Sequence, residues 1–247
     1  MITKAGRFPL RLWRGLSRPA LLMLALVAPL KGMAEIARAS FADPTSRYAH
    51  GVLGDDIEYG AIELVLQDGA QLKLTLPPSR VFEDIAPRLW DLDKDGLPEV
   101  VVVESHRDFG ARLSVYSETG LVTATPYIGQ SYRWLAPVGA ADMDGDGFIE
   151  LAYIDRPHLA KILRIWRFSN NTLTEIAALA GHTNHRIGWD FVVGGIRYCE
   201  GLPEIITASA DWSTVQSTSF NSDAKLQTQM IAPYSGTQSL DAALNCF

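Results

Sequence analysis

Two short stretches of this chain gather carboxylates at a spacing that suits metal binding. Asp91-Leu92-Asp93-Lys94-Asp95-Gly96-Leu97-Pro98-Glu99 and Asp142-Met143-Asp144-Gly145-Asp146-Gly147-Phe148-Ile149-Glu150 both read Asp-x-Asp-x-Asp-Gly-x-x-Glu. Carboxylates this close repel by about 1 kcal/mol per pair in water, and by about 4 kcal/mol at the effective dielectric of a protein surface. A hard cation relieves that repulsion. Calcium takes six to eight oxygen ligands, and alternation brings the first, third and fifth side chains round one centre while the glycine permits a sharp turn. The expected ligands are Asp91, Asp93, Asp95, the Leu97 carbonyl and Glu99, and then Asp142, Asp144, Asp146, the Phe148 carbonyl and Glu150. Two structural Ca2+ sites are thus expected.

An EF-hand loop ends in a bidentate glutamate at position twelve, and here that position holds Val102 or Tyr153. The runs Val100-Val101-Val102-Val103 and Leu151-Ala152-Tyr153-Ile154 are of strand type, so each loop lies between strands. In this the chain resembles the FG-GAP, or VCBS-type, repeats of integrin-like β-propellers, with glutamate where integrins usually have aspartate. The resemblance spans roughly Arg80 to Ala208. It implies a propeller whose blades are braced by calcium, and says little about a ligand.

The elements that would position these loops repeat with them. The loops begin 51 residues apart, and Leu202-Pro203-Glu204 followed by Ile205-Ile206-Thr207-Ala208 reads as a third copy that has lost its aspartates. Hairpin-like pairs follow each unit, as in Ala111 to Ala124 and Ile162 to Ala178, and precede them at Ala61 to Leu76. The fold class expected is all-β: a small β-propeller of about four blades, residues 40–247, with a fragmentary propeller completed by a partner as the alternative. No amphipathic helix stands out in that span. Arg80, Arg133 and Arg186 recur 53 residues apart, which suits inter-blade bonds or a basic ring at the mouth.

Residues 1–39 read as a signal peptide. Lys4, Arg7, Arg11, Arg14 and Arg18 precede the apolar run Pro19 to Leu30, and small-residue sites place cleavage after Ala34 or Ala39. The apolar run is short of the roughly twenty residues that a spanning helix needs. An exported protein, periplasmic or secreted and without a membrane span after cleavage, is expected. Removal of 1–39 leaves 15 basic against 27 acidic residues, a net charge of −12, which argues against nucleic acid as a partner. Cys199 and Cys246 are expected to pair in an oxidising compartment, tying the C-terminus to the degenerate third loop.

Groups that could do other chemistry are few. His182 and His185 lack a third ligand at a recognised spacing. Trp90, Trp134, Trp166, Trp189 and Trp212 suit inter-blade packing, or a sugar- or peptide-binding face if several share one exposed surface. Glu104, His106, Asp155 and Asp211 end equivalent strands and are the candidates for a catalytic mouth. The favoured function is a non-catalytic, calcium-binding interaction module for an unknown protein or glycan ligand, with no catalytic residue and no organic cofactor assigned. The alternative is a glycan-acting hydrolase or lyase on the same propeller.

Overall fold

The computed structural model describes residues 1–2, 34–221 and 225–246, and the described strands all belong to one compact unit, Met33–Phe247. The basic and apolar parts of the expected signal peptide lie outside the described residues. The unit is built of antiparallel strands. A first group consists of β1 (Ile36–Thr45), β2 (Glu58–Leu66) and β3 (Gln71–Thr75). A second has β4 (Arg80–Phe82) and β5 (Arg88–Trp90) side by side on one edge of β6 (Glu99–His106), followed by β7 (Gly110–Ser117) and β8 (Gly120–Ala124). A third runs β9 (Leu135–Ala141), β10 (Ile149–Asp155), β11 (Ile162–Ser169) and β12 (Thr172–Ala180). The fourth repeats the second: β13 (His182–Thr183) and β14 (Gly195–Arg197) share one edge of β15 (Glu204–Ser209), with β16 (Thr214–Phe220) and β17 (Leu226–Pro233) beyond.

These four groups make three hydrogen-bonded sheets, because Tyr59 of β2 pairs with Phe82 of β4 and joins the first group to the second. The expected boundary at residue 40 lies inside β1. Ile36 pairs with Leu66 and is buried, so a chain cut after Ala39 loses a core residue, whereas a cut after Ala34 leaves β1 whole.

The unbroken apolar runs have a direct cause. Successive strand residues face opposite ways, and β6, β10 and β15 are each covered on both faces. Val100 and Val102 pack with Ile62, Leu64 and Phe82 toward the first group, while Val101 and Val103 pack with Trp134, Leu151 and Tyr153 toward the third. Ala152 and Ile154 face the fourth group through Ile205. Ile206 turns to a last element, the helix α1 (Thr237–Leu244), whose Leu240 and Ala243 are buried against it. The helix corrects the reading that no helical segment would stand out. It has only two turns, with two inward residues three apart, too little for a periodic pattern to register.

The loop joining β1 to β2 ties the groups together at the end away from the acidic loops. The Arg47 guanidinium donates to the Arg80 carbonyl, the Tyr48 hydroxyl accepts from the Tyr132 amide (2.8 Å), and the Val52 carbonyl accepts from the Gly188 amide (3.1 Å).

Candidate functional site

The two acidic loops connect the first and second strands of their groups, β5 to β6 and β9 to β10, and they close in the same way. In the first, the Asp91 carboxylate accepts from the Gly96 amide (3.1 Å), Asp93 from Asp95 (3.1 Å) and Asp95 from Leu97 (2.7 Å). In the second, Asp142 accepts from Gly147 (3.1 Å), Asp144 from Asp146 (3.3 Å) and Asp146 from Phe148 (3.0 Å). Each glutamate reaches back across the loop to a buried neighbour, Glu99 to the Leu92 amide (2.9 Å) and Glu150 to the Met143 amide (2.8 Å). Leu92 and Met143 were unspecified positions of the motif, and their side chains are core residues that anchor each loop.

Backbone conformation repeats as well. Positions four and six of both loops have positive φ: Lys94 at 63° and Gly96 at 86°, Gly145 at 78° and Gly147 at 96°. A Cβ at Gly96 or Gly147 would meet nothing, so glycine is needed there for its dihedral freedom rather than for space. Lys94 takes the same conformation with a side chain, at a cost of roughly 1–2 kcal/mol.

Carboxylate oxygens converge within 4.8 Å in both loops, from Asp91, Asp93 and Glu99 in the first and from Asp142, Asp144 and Asp146 in the second. Asp95 stands outside the first group and Glu150 outside the second. Glu150 is engaged by the Arg167 guanidinium (2.7 Å), which also bonds Asp144 and pairs with Asp146 (2.7 Å). Lys94 crosses from the first loop to donate to the Gly147 carbonyl (2.7 Å) and Asp142 (3.2 Å) of the second. The first loop has no such help: among the described residues no cation pairs with Asp91, Asp93, Asp95 or Glu99. Burial pushes the Glu99 carboxyl up to about 7, with Asp93 and Asp95 adding to the effect. In the second loop the Asp142 Oδ1 is buried without a hydrogen-bond partner. Uncompensated charge in one loop and an orphaned oxygen in the other both fit an oxygen-seeking cation.

The degenerate third loop is braced differently. Gly201 keeps its positive φ of 81°, but Glu204 accepts from Arg197 Nε (2.6 Å) and Ser217 (2.5 Å). Arg197 also donates to the Ala243 carbonyl at the end of α1 (3.0 Å). Cys199 and Cys246 are bonded, with their Cα atoms 5.8 Å apart.

The other candidates are held in structural roles. Glu104 is fully buried and accepts from Arg80, Arg112, Ser114, Tyr116 and Tyr127. Asp155 is engaged by Arg156 and Arg164, Asp211 by Ser209 and Ser213, and His106 Nδ1 by the Asp108 amide. His182 bonds Thr207 (2.9 Å), while His185 bonds His158 (2.9 Å) and the Trp189 carbonyl (2.9 Å), so the two rings share no ligand position. The arginine repeat breaks. Phe82, Leu135 and His182 pair with the equivalent residues Glu104, Asp155 and Ser209, which puts Arg80 and Arg133 in register but leaves Arg186 in the segment after β13. Arg186 stacks over Trp212 at 4.4 Å, Arg80 pairs with Glu104, and Arg133 donates to the Tyr132 carbonyl, so they form no ring of equivalent cations.

Among the described residues no helix is long and apolar enough to cross a membrane. No curated protein matches the chain. Residues 91–153, which run from the first acidic loop through β10, match the family model of the FG-GAP-like repeat. The chain therefore carries an FG-GAP-like repeat over residues 91–153.

Proposed function

We propose that the chain is an exported interaction module in which calcium stabilises propeller-type blades at the two acidic loops, and that it binds its partner without chemistry of its own. The observation that carries the metal reading is the matched closure of the loops around converging carboxylates. In the first loop Asp91, Asp93 and Glu99 would hold the ion, and in the second Asp142, Asp144 and Asp146. A bound Ca2+ would supply the positive charge that lets these oxygens approach. The pattern of residues 1–39 and the Cys199–Cys246 bond support export, and the intact β1 favours processing after Ala34. Glu104 and Asp155, saturated by donors, give the hydrolase or lyase alternative no support.

Thermal unfolding with calcium and with chelator tests the metal reading. Binding stabilises by RT ln(1 + [L]/Kd), about 2.7 kcal/mol per site at a hundredfold excess over Kd. An unfolding temperature that chelation leaves in place removes calcium from the proposal.

A further inference from the structure

At the opposite end of the strands from the acidic loops lies a cavity of about 270 Å³. Strands β9 and β10 run between the two, some 20 Å by strand rise. The cavity is shaped by four separate segments, which contribute His50, Tyr132 with Arg133, His158 with Leu159, and Ile187. Tyr132 has a φ of 54° and its neighbour in the wall, Arg156, one of 48°, a strain that costs about 1–3 kcal/mol per residue and clusters at binding sites.

The polar groups in the wall differ in what they have left to offer. Arg156 is spent on Asp155, and His50 Nδ1 is hydrogen-bonded to the buried Glu83 at 2.5 Å. Arg133 makes no ion pair among the described residues, its one bond being to the Tyr132 carbonyl. The tautomer of His158 follows from its neighbours. The Trp189 carbonyl can only accept, so His185 Nε2 carries the proton there. Burial holds His185 neutral, and its Nδ1 must then accept from His158 Nε2. His158, pushed down to about 4 by burial and by His185, is therefore neutral with an accepting lone pair on Nδ1, to which no donor is bonded among the described residues. Around these groups the apolar rim is unusually open: Leu159 is 63% exposed and Ile187 71%.

One unpaired cation, one unpaired acceptor and an apolar rim define a ligand with a single negative charge, an N–H or O–H donor and an apolar body. Exposed Asp55, Asp56 and Asp190 on adjoining segments oppose a polyanion. The volume, at the low end for ligand sites, suits one residue rather than a larger molecule. We infer that this cavity receives the free carboxyl terminus of a peptide ending in an apolar residue, its carboxylate on Arg133, its amide N–H on His158 Nδ1 and its side chain against Leu159 and Ile187. The assignment rests on the interaction-module reading for its partner class, but not on calcium.

The test is calorimetric titration of the purified chain with N-acetyl-phenylalanine, its C-terminal amide and its N-methylated form. The acid binds, and the other two bind at least about tenfold more weakly, as expected for loss of a charge-assisted bond or of the donor to His158 Nδ1. R133Q brings the acid down to the level of the amide, R133K retains the preference, and L159S weakens acid and amide alike, all with unchanged unfolding temperature. A tetrapeptide ending in phenylalanine that binds more tightly than the single residue assigns a peptide source, and equal affinities assign a free acylamino acid to the same site. Acid and amide binding alike, no binding of either, or R133Q retaining the preference overturns the inference. Acid binding that survives chelation without any calcium-dependent stability rejects the calcium reading and leaves this one standing.

Discussion

Two buried carboxylates, Glu104 and Glu58, meet opposite environments, and the contrast makes one of them a pH-sensitive element. Burial works against the charge of Glu104, but hydrogen bonding from Tyr116, the guanidinium groups of Arg112 and Arg80, and Tyr127 outweigh it and hold the carboxyl below the usual range. Glu58, at the start of β2, has no cation paired with it among the described residues, and burial pushes it up to about 9 with Glu83, Asp55 and Asp84 adding their charge. Its unfolded value is about 4.3. A raised folded value means that the folded state holds the proton more tightly, so this stability is complete below about pH 4 and declines as pH rises toward 9. The slope is at most about 1.4 kcal/mol per pH unit. E58Q keeps the neutral shape and cannot ionise. Urea unfolding between pH 5 and 9 is expected to show the wild type losing stability relative to E58Q, by on the order of 4 kcal/mol between pH 5 and 8. Parallel curves would show that Glu58 is charged in the fold.

At the scale of the element, three equivalent loops solve one electrostatic problem with different cations. The first has none of its own, the second has Arg167 from β11 and Lys94 from its neighbour, and the third has Arg197 with a disulfide. The position equivalent to Arg167 in the second group's register is Ser117, too short to reach a carboxylate across the loop, which explains why the first loop stands unneutralised. If calcium binds as proposed, an ion in the second loop would have to displace Arg167 from Asp144 and Asp146, so the wild-type gain from calcium is expected to come mainly from the first loop. R167Q should lose about 1–3 kcal/mol in chelator and recover most of it with calcium, giving a larger calcium increment than the wild type. Equal increments would mean that Arg167 does not occupy the ion's place. The motif and the strand after it were legible because they are local: aspartate spacing, a glycine with positive φ and a valine run all lie within fifteen residues. Arg167, Arg197 and Lys94's reach were not, since they depend on which strand pairs with which. The break in the arginine repeat has the same origin, because sequence spacing counted the insertion between β13 and β14 as part of the period.

The molecule as a whole is a succession of apolar interfaces, first group to second, second to third, third to fourth, and fourth to α1. Each interior group is clamped from both sides, but the fourth is covered on its outer face by a helix of only two turns, far too short to hold its shape unaided. What keeps that helix in place is Leu240 and Ala243 in the core, Arg197 on the Ala243 carbonyl, and the Cys199–Cys246 bond just beyond. The bond spans 47 residues, for which chain entropy gives about 4 kcal/mol. Its removal is therefore expected to act first on one end of the molecule and not uniformly. In C199S/C246S, amide exchange should accelerate in α1 and β14 to β17 while β6 and β10 keep their protection, and global stability should drop by about 2–4 kcal/mol. The same variant separates the disulfide from the metal: because the third loop is braced by Arg197 and sulfur, the increment from calcium should be unchanged. Uniform loss of protection across all four groups would show instead that α1 and its bond hold the entire succession together.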